Sequence, residues 1–203
     1  MQHGRRTEEN KDELSRIVHV NEVAKRLVVH SFQVNLLALD AMVQSKRAGG
    51  RLRGFDEVSK QMRDWSAELK SQLGELADLT RVCVTEASLG IKMRRTVRLL
   101  GEAARRSRNG DAAESAARRA RDLAGECTAS LDTRWSRVSL QIAELTRLGM
   151  MACVLSRSAM IEAQSGAPAE RVQLMHVARD FYCNSEDVLH ALRTLAKDAG
   201  GER

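Results

Sequence analysis

The sequence predicts an all-α protein, an antiparallel up-down-up-down bundle of four long helices. Three observations carry this reading. First, the 203 residues include one proline and 3% aromatics. Ala, Leu, Arg, Glu and Ser dominate, and such residues lose little freedom on entering a helix. Second, breaks fall at three places: 48–54 (with Gly49, Gly50 and Gly54), Asn109-Gly110-Asp111, and Ser165-Gly166-Ala167-Pro168. Gly and Asn accept positive φ, and proline is disfavoured inside a helix. Third, apolar residues between the breaks recur at alternating spacings of four and three, the mark of a heptad seam.

The breaks leave helical stretches of roughly 40, 53, 54 and 30 residues, and at 1.5 Å per residue the long ones reach about 80 Å. The first helix shows Ile17, Val20, Ala24, Leu27, Val34, Ala38 and Ala41. The second shows Val58, Met62, Trp65, Leu69, Leu73 and Leu76. Asp111 then offers an N-cap, with Glu114 three residues on as its capping-box partner. The third helix follows with Leu131, Trp135, Val138, Ile142, Leu145, Gly149, Ala152, Ser156, Ala159 and Ala163. The fourth shows Leu174, Val177, Phe181, Val188, Leu192 and Leu195. Short turns make neighbours antiparallel. The expected organisation is one helical-bundle domain over 1–203, with a first hairpin over 7–108 and a second over 111–198.

Composition narrows the function classes. A thin core of Leu, Val, Ala and Met belongs to helical bundles rather than to enzymes with deep pockets. The net charge of +6 is the difference between 33 basic and 27 acidic residues. It fits a solvated, Arg-rich helical surface, though a basic surface also attracts nucleic acid or acidic lipid. Cys83, Cys127, Cys153 and Cys183 are separated by 44, 26 and 30 residues. These spacings match no zinc or redox motif, so reduced core thiols are expected. The polar stretch 1–10 is unlike a signal peptide, and no window is expected to reach the roughly 18 apolar residues of a membrane span. The expectation is a soluble, cytoplasmic protein.

The two halves align. A shift of 118 residues lays Ile17 on Trp135, Val20 on Val138, Ala24 on Ile142, Leu27 on Leu145, Ser31 on Gly149, Ala38 on Ser156 and Ala41 on Ala159. Ala41-Met42-Val43-Gln44 falls on Ala159-Met160-Ile161-Glu162. Past the turn, a shift of 119 lays Val58 on Val177, Met62 on Phe181, Leu69 on Val188 and Leu73 on Leu192. Either the chain is a duplicated hairpin with both tips at one end, or two heptad helices match because they share a core pattern.

The stretch from Phe32-Gln33-Val34-Asn35-Leu36-Leu37-Ala38-Leu39-Asp40-Ala41-Met42-Val43 through Arg47-Ala48-Gly49 to Arg53-Gly54-Phe55 resembles the hairpin tip of methyl-accepting chemotaxis receptors. The resemblance is ungapped over about 25 residues and covers 28–72. In that family the tip joins receptor dimers into trimers and binds a coupling protein and a histidine kinase. The resemblance implies trimer-contact positions at Phe32, Leu36, Asp40, Gln44 and Arg47, and a turn at Gly49. It implies a docking arm for coupling protein and kinase at Arg53, Phe55, Glu57 and Gln61. The chain departs from the family pattern at several positions. Asp40 stands for Asn, Gln44 for Glu and Lys46 for Ala, and Gly50 and Leu52 alter the turn. Asp56 and Glu57 replace two small or apolar residues, which puts a carboxylate where the family docks an apolar contact; desolvating it unpaired would cost several kcal/mol. The second hairpin keeps Glu162 but has no Arg-Gly-Phe equivalent around 169–172. One chain would build internally, as a monomeric pseudo-dimer, the bundle that receptors build as homodimers; a homodimer of this chain is the other arrangement.

Nothing else in the sequence points to catalysis, a cofactor or a metal. His3, His19, His30, His176 and His190 are scattered without i, i+3 or i, i+4 pairing. No Gly-x-Ser-x-Gly elbow and no phosphate-cradling Gly loop occurs. The rival feature is a basic cluster, Arg94, Arg95, Arg98, Arg105, Arg106, Arg108, Arg118, Arg119 and Arg121, bracketing the second break. It could contact phosphate of nucleic acid or of an anionic membrane, although no aromatic interleaves it and Glu102, Asp111, Glu114 and Asp122 dilute it. The expected function is non-enzymatic: a chemoreceptor-tip-like protein that binds or modulates receptor, coupling protein or histidine kinase. The alternative is a helical adaptor for an unrelated partner, acting through the basic end.

Overall fold

The computed structural model describes residues 2–47, 52–106 and 111–200, with side chains described for 14–47, 52–106, 111–168 and 170–200. Helix α1 spans Gln2–Arg47, α2 Arg53–Arg106, α3 Asp111–Ala163 and α4 Pro168–Gly200. The helices pack against one another as an all-α four-helix bundle. The described residues contain no strand.

Local chemistry sets the boundaries. Ser165 and Gln164 amides turn back onto the Glu162 and Ile161 carbonyls at 3.0 and 3.1 Å, closing α3 with tight i, i+3 bonds. Pro168 opens α4, where its missing amide is not needed. The Ala167 amide donates to the Glu170 carboxylate at 3.3 Å, a reach-back of capping-box type. Acidic Asp111 and Glu114 occupy the first turn of α3, and basic Arg105 and Arg106 the last turn of α2, each matching the local end of the helix dipole. One boundary differs from expectation: Gly54 is the second residue of α2 and not part of the turn. Leu52, 3% exposed, ends the break, and its carbonyl accepts the Asp56 amide at 3.0 Å.

The core follows the heptad seam. Every seam residue expected above is buried except Trp135, which is half-buried. The seam also runs through small polar residues: Ser31, Ser45, Ser59, Ser66, Thr80, Ser156 and Ser185 are all buried.

The chain divides into two compact units, Met1–Asn21 with Asp78–Val138, and Glu22–Ala77 with Ser139–Arg203. In the first unit Glu86 ties α2 to α3. Its Oε1 accepts from Ser130 at 2.9 Å and from Arg134 at 2.8 Å. Arg94 reaches Thr128 at 3.4 Å, and a Cβ built on Gly90 would lie 3.7 Å from Cys127.

In the second unit the Trp65 indole donates across to the Leu148 carbonyl at 2.8 Å. A Cβ on Gly149 would meet Leu189 Cδ1 at 3.3 Å and Leu189 Cα at 3.4 Å, so α3 and α4 approach closely there. Ser156 and Ser185 hydroxyls lie 2.9 Å apart in the core, and His30 Nδ1 lies 3.4 Å from Asn184 Oδ1.

Two sequence expectations are corrected. Windows of 18 residues in Leu14–Arg47 and in Asp111–Ala163 reach mean hydropathies of 1.2 and 1.4, apolar and long enough to cross a membrane by composition. Only 28% and 39% of these windows are buried, because the same helices carry apolar residues outside the seam. The other correction is Cys183. Cys83, Cys127 and Cys153 are buried free thiols, but Cys183 is exposed, lying off the Phe181–Ser185 seam positions.

Burial pushes the Cys153 thiol above its ordinary pKa; the Glu186 carboxylate adds to this, and Arg157 and Arg193 oppose it. A thiolate-specific reagent at neutral pH should therefore modify Cys183 first, with Cys153 following only under denaturant; mass spectrometry of partly labelled protein reads the order. Phe181 is fully buried, so Phe181→Ala should cost about 3–5 kcal/mol, seen as a lowered urea midpoint.

Candidate interaction surface near the first hairpin tip

Helix α1 has two apolar faces. Leu27, Ser31, Val34, Ala38, Ala41 and Ser45 point inward. Val29, Phe32, Leu36, Leu39 and Val43 form a second stripe with the same 3,4 spacing, and all are exposed, Phe32 by 56% and Leu36 by 50%. Residues three and four apart on a helix are neighbours, so this stripe is one continuous ridge. Five large apolar side chains in solvent along one ridge are more than a scattered surface background.

Polar groups border the ridge toward its C-terminal end. Gln44 Nε2 donates to Asp40 Oδ2 at 2.6 Å, while Gln44 Oε1 is buried without a partner. Arg47 is exposed at the end of α1.

Across the turn, Arg53 is exposed, and Gln61 donates to Glu57 at 3.5 Å. Lys60 stands 2.7 Å from Asp56 and 3.8 Å from Glu57. Its ammonium is held above its ordinary pKa, chiefly by the hydrogen bond it donates to Asp56. Ser45, Lys46, Arg53, Asp56, Glu57 and Lys60 line an open cleft, with Asp56 Oδ1 unbonded. Glu57 is 61% exposed, so its carboxylate stays hydrated, with Lys60 and Gln61 as neighbours.

Phe55 does not belong to this surface. It is fully buried, and its carbonyl accepts the Ser59 hydroxyl at 2.7 Å. The reason is register: Phe55 lies one heptad before Met62 on the α2 seam. Its neighbour Gly54 has a separate role. A Cβ there would sit 2.0 Å from Glu162 Oε2, so the Glu162 carboxylate lies on bare backbone in the first turn of α2. That is a favourable place for negative charge.

Of the nine tip residues, Phe32, Leu36, Asp40, Gln44 and Arg47 thus line one side of α1, and Arg53, Glu57 and Gln61 lie on the exposed side of α2. Gly49 lies outside the described residues. Pattern reading passed over Val29, Leu39 and Val43, although their spacing repeats that of the seam. It also passed over exposed Leu140, Val154 and Ile161 on α3, and Met150 and Met151, which the sequence suggests as core-filling residues, are exposed as well.

At the basic cluster, Arg95, Arg98, Arg105 and Arg106 share one exposed side of α2 with Glu102 and half-exposed Leu99. None of these four pairs with a described acidic residue. Arg94 is half-buried against Thr128, and Arg119 bonds Ser115 at 3.1 Å. Arg118 and Arg121 are exposed on α3, and Arg108 lies outside the described residues. No group of three His, Cys, Asp or Glu among the described residues could hold a metal ion.

No family model, no curated protein and no solved structure matches this chain.

Burial separates the two phenylalanines experimentally. Phe32→Ala should change stability by no more than about 0.5 kcal/mol, and Phe55→Ala should cost about 3–5 kcal/mol, both read by urea denaturation.

Proposed function

We propose that the chain is a non-enzymatic, cytoplasmic signalling protein that acts through the exposed α1 ridge near its first hairpin tip. The partners it would engage are tips of chemotaxis-type receptors, their coupling protein or their histidine kinase. The observation that carries this reading is the ridge itself. Phe32 and Leu36, two positions singled out by the resemblance, stand in solvent on a heptad of five apolar residues bordered by Asp40, Gln44 and Arg47. A helix that already buries one seam and shows a second is suited to pack against another helix. One chain supplies all four helices of the unit that holds the ridge, which supports the pseudo-dimer arrangement.

The test is capture from cells that contain a chemosensory array. The tagged chain should bring down receptor, coupling protein or kinase, and Phe32→Lys should abolish this with the helical signal intact. Clean preparations free of all three would overturn the reading.

The second reading is a helical adaptor that contacts a polyanion, nucleic acid or anionic membrane, through Arg95, Arg98, Arg105 and Arg106. The observation that favours it is that these exposed guanidiniums lack acidic partners among the described residues. Vesicle or DNA binding that falls steeply with salt, and is lost on Arg105→Glu with Arg106→Glu, would select it.

A further inference from the structure

The residues at 29, 32, 36, 39 and 43 fall, on the 118-residue shift, at Arg147, Met150, Val154, Arg157 and Ile161. These α3 residues are exposed as well, Val154 by 62% and Ile161 by 67%. The unit formed by Glu22–Ala77 and Ser139–Arg203 therefore carries two outward heptad ridges, one on α1 and one on α3. The α1 ridge is wholly apolar over five positions, whereas the α3 ridge replaces two of them with arginine.

We propose that these two ridges are complementary, the α1 ridge of one molecule docking in parallel on the α3 ridge of a second copy. The inference takes the α1 ridge of the proposed function as an interaction face and rests on that reading to this extent.

Heptad geometry assigns the contacts. With Val29, Leu36 and Val43 at a, residues Lys25, Phe32 and Leu39 occupy d, and Asp40 occupies e. On α3, Arg147, Val154 and Ile161 occupy a, Ala143, Met150 and Arg157 occupy d, and Glu144 and Met151 occupy e. In a parallel pair each d side chain packs beside the partner's e residue. Lys25 then lies beside Glu144, Phe32 beside Met151, and Arg157 beside Asp40. Leu36 falls on Val154 and Val43 on Ile161, while Arg147 falls on Val29 and Arg157 on Leu39, where an arginine stem can cover the apolar side chain with its guanidinium at the rim.

Like-on-like pairings lack this match. An α1–α1 contact sets Lys25 against Lys25 and Arg26, and an α3–α3 contact sets Arg147 and Arg157 each against its own copy. Opposed like charges select against those arrangements. The charges are available. Lys25 bonds Glu22 at 2.8 Å and Arg147 bonds Glu144 at 3.0 Å, but both are exposed intrahelical pairs of little net strength. Arg157 is exposed, and its guanidinium rests over the Tyr182 ring of α4, 5.8 Å from the centroid, and hydrogen-bonds to Tyr182, an engagement that pairing with Asp40 would have to replace. A contact that joins two different faces is heterologous, so it propagates into a ring or a filament and does not stop at a two-fold dimer.

The test uses two full-length variants at exposed positions, Leu36→Lys to block the α1 ridge and Val154→Lys to block the α3 ridge, with circular dichroism to check the helices. Sedimentation velocity should show the unmodified chain associating with concentration and each variant alone remaining monomeric. An equimolar mixture should form a one-to-one complex, since each variant keeps the face the other lacks. Asp40→Arg should weaken association by about tenfold, and Arg157→Asp should restore it. A chain that stays monomeric at all concentrations, or a Val154→Lys variant that still self-associates, or a mixture that does not pair, would overturn the proposal. If these fail while Val154→Lys still captures a chemosensory partner, the proposed function stands without the self-contact. Pairing without any such capture leaves the self-contact standing alone.

Discussion

How closely four helices can approach, while each keeps its backbone polar groups satisfied, governs the rest of this molecule. The unit of Glu22–Ala77 and Ser139–Arg203 buries bulky residues such as Phe55, Met62 and Phe181, and between them it brings helices together over small ones. Gly149 lets the Leu189 backbone come within van der Waals reach of α3. Serine serves as a second kind of small seam residue. Ser31, Ser59, Ser66 and Ser156 return their protons to the carbonyls of Val28, Phe55, Arg63 and Ala152 at 2.6 to 2.7 Å. Each hydroxyl is thereby satisfied within its own helix, at the cost of competing mildly with the helical ladder. Such a residue can be buried without specifying its neighbour. Specific cross-links include the Trp65 indole on the Leu148 carbonyl, Ser156 with Ser185, and His30 with Asn184.

A thin core has a surface counterpart. Helices that bury only one narrow seam leave most of their circumference in solvent, and on α1 and α3 much of that circumference is apolar. This explains why both helices pass a composition test for membrane spans while packing as members of a bundle. The excess hydropathy is organised: it lies along ridges with the same 3,4 period as the core. Both ridges carry charge as well as apolar area: Lys25, Asp40 and Arg47 stand on or beside the α1 ridge, and Glu144, Arg147 and Arg157 on or beside the α3 ridge. The basic residues of the α2 end form a third kind of surface, in which charge and not apolar area dominates.

Much of the fold was legible because periodicity reports the core directly. The four helices, their turns and nearly all their seam residues follow from Gly, Pro and Asn positions and from the 3,4 spacing. The two seam indoles differ: Trp135 is half-buried, whereas Trp65 enters its seam and donates to the Leu148 carbonyl. The site was less legible, and Phe55 shows why. A family resemblance transfers a role to a position, but the rotation of the helix decides whether that position meets solvent, and the heptad to Met62 turns Phe55 inward. The same counting turns Cys183 outward. The outer ridges were also countable, but a search for the core stops at the first seam it finds. Spacing placed Ser156 on the seam, but Ser45, Ser59, Ser66 and Ser185 were missed for a different reason: composition scales treat a hydroxyl as polar, and in a helix it can bond its own backbone.

The contact between Gly54 and Glu162 bears on how this sequence can drift. A methyl group at 54 would not be barred, since the far end of Glu162 can swing aside, but the carboxylate would then leave the positive end of α2. Losing Glu162 by substitution forfeits the same interaction. The two changes therefore carry one shared penalty, and whichever lineage accepts the first is released from the cost of the second. Position 54 in one hairpin and position 162 in the other should vary together among descendants of this chain, although more than a hundred residues separate them.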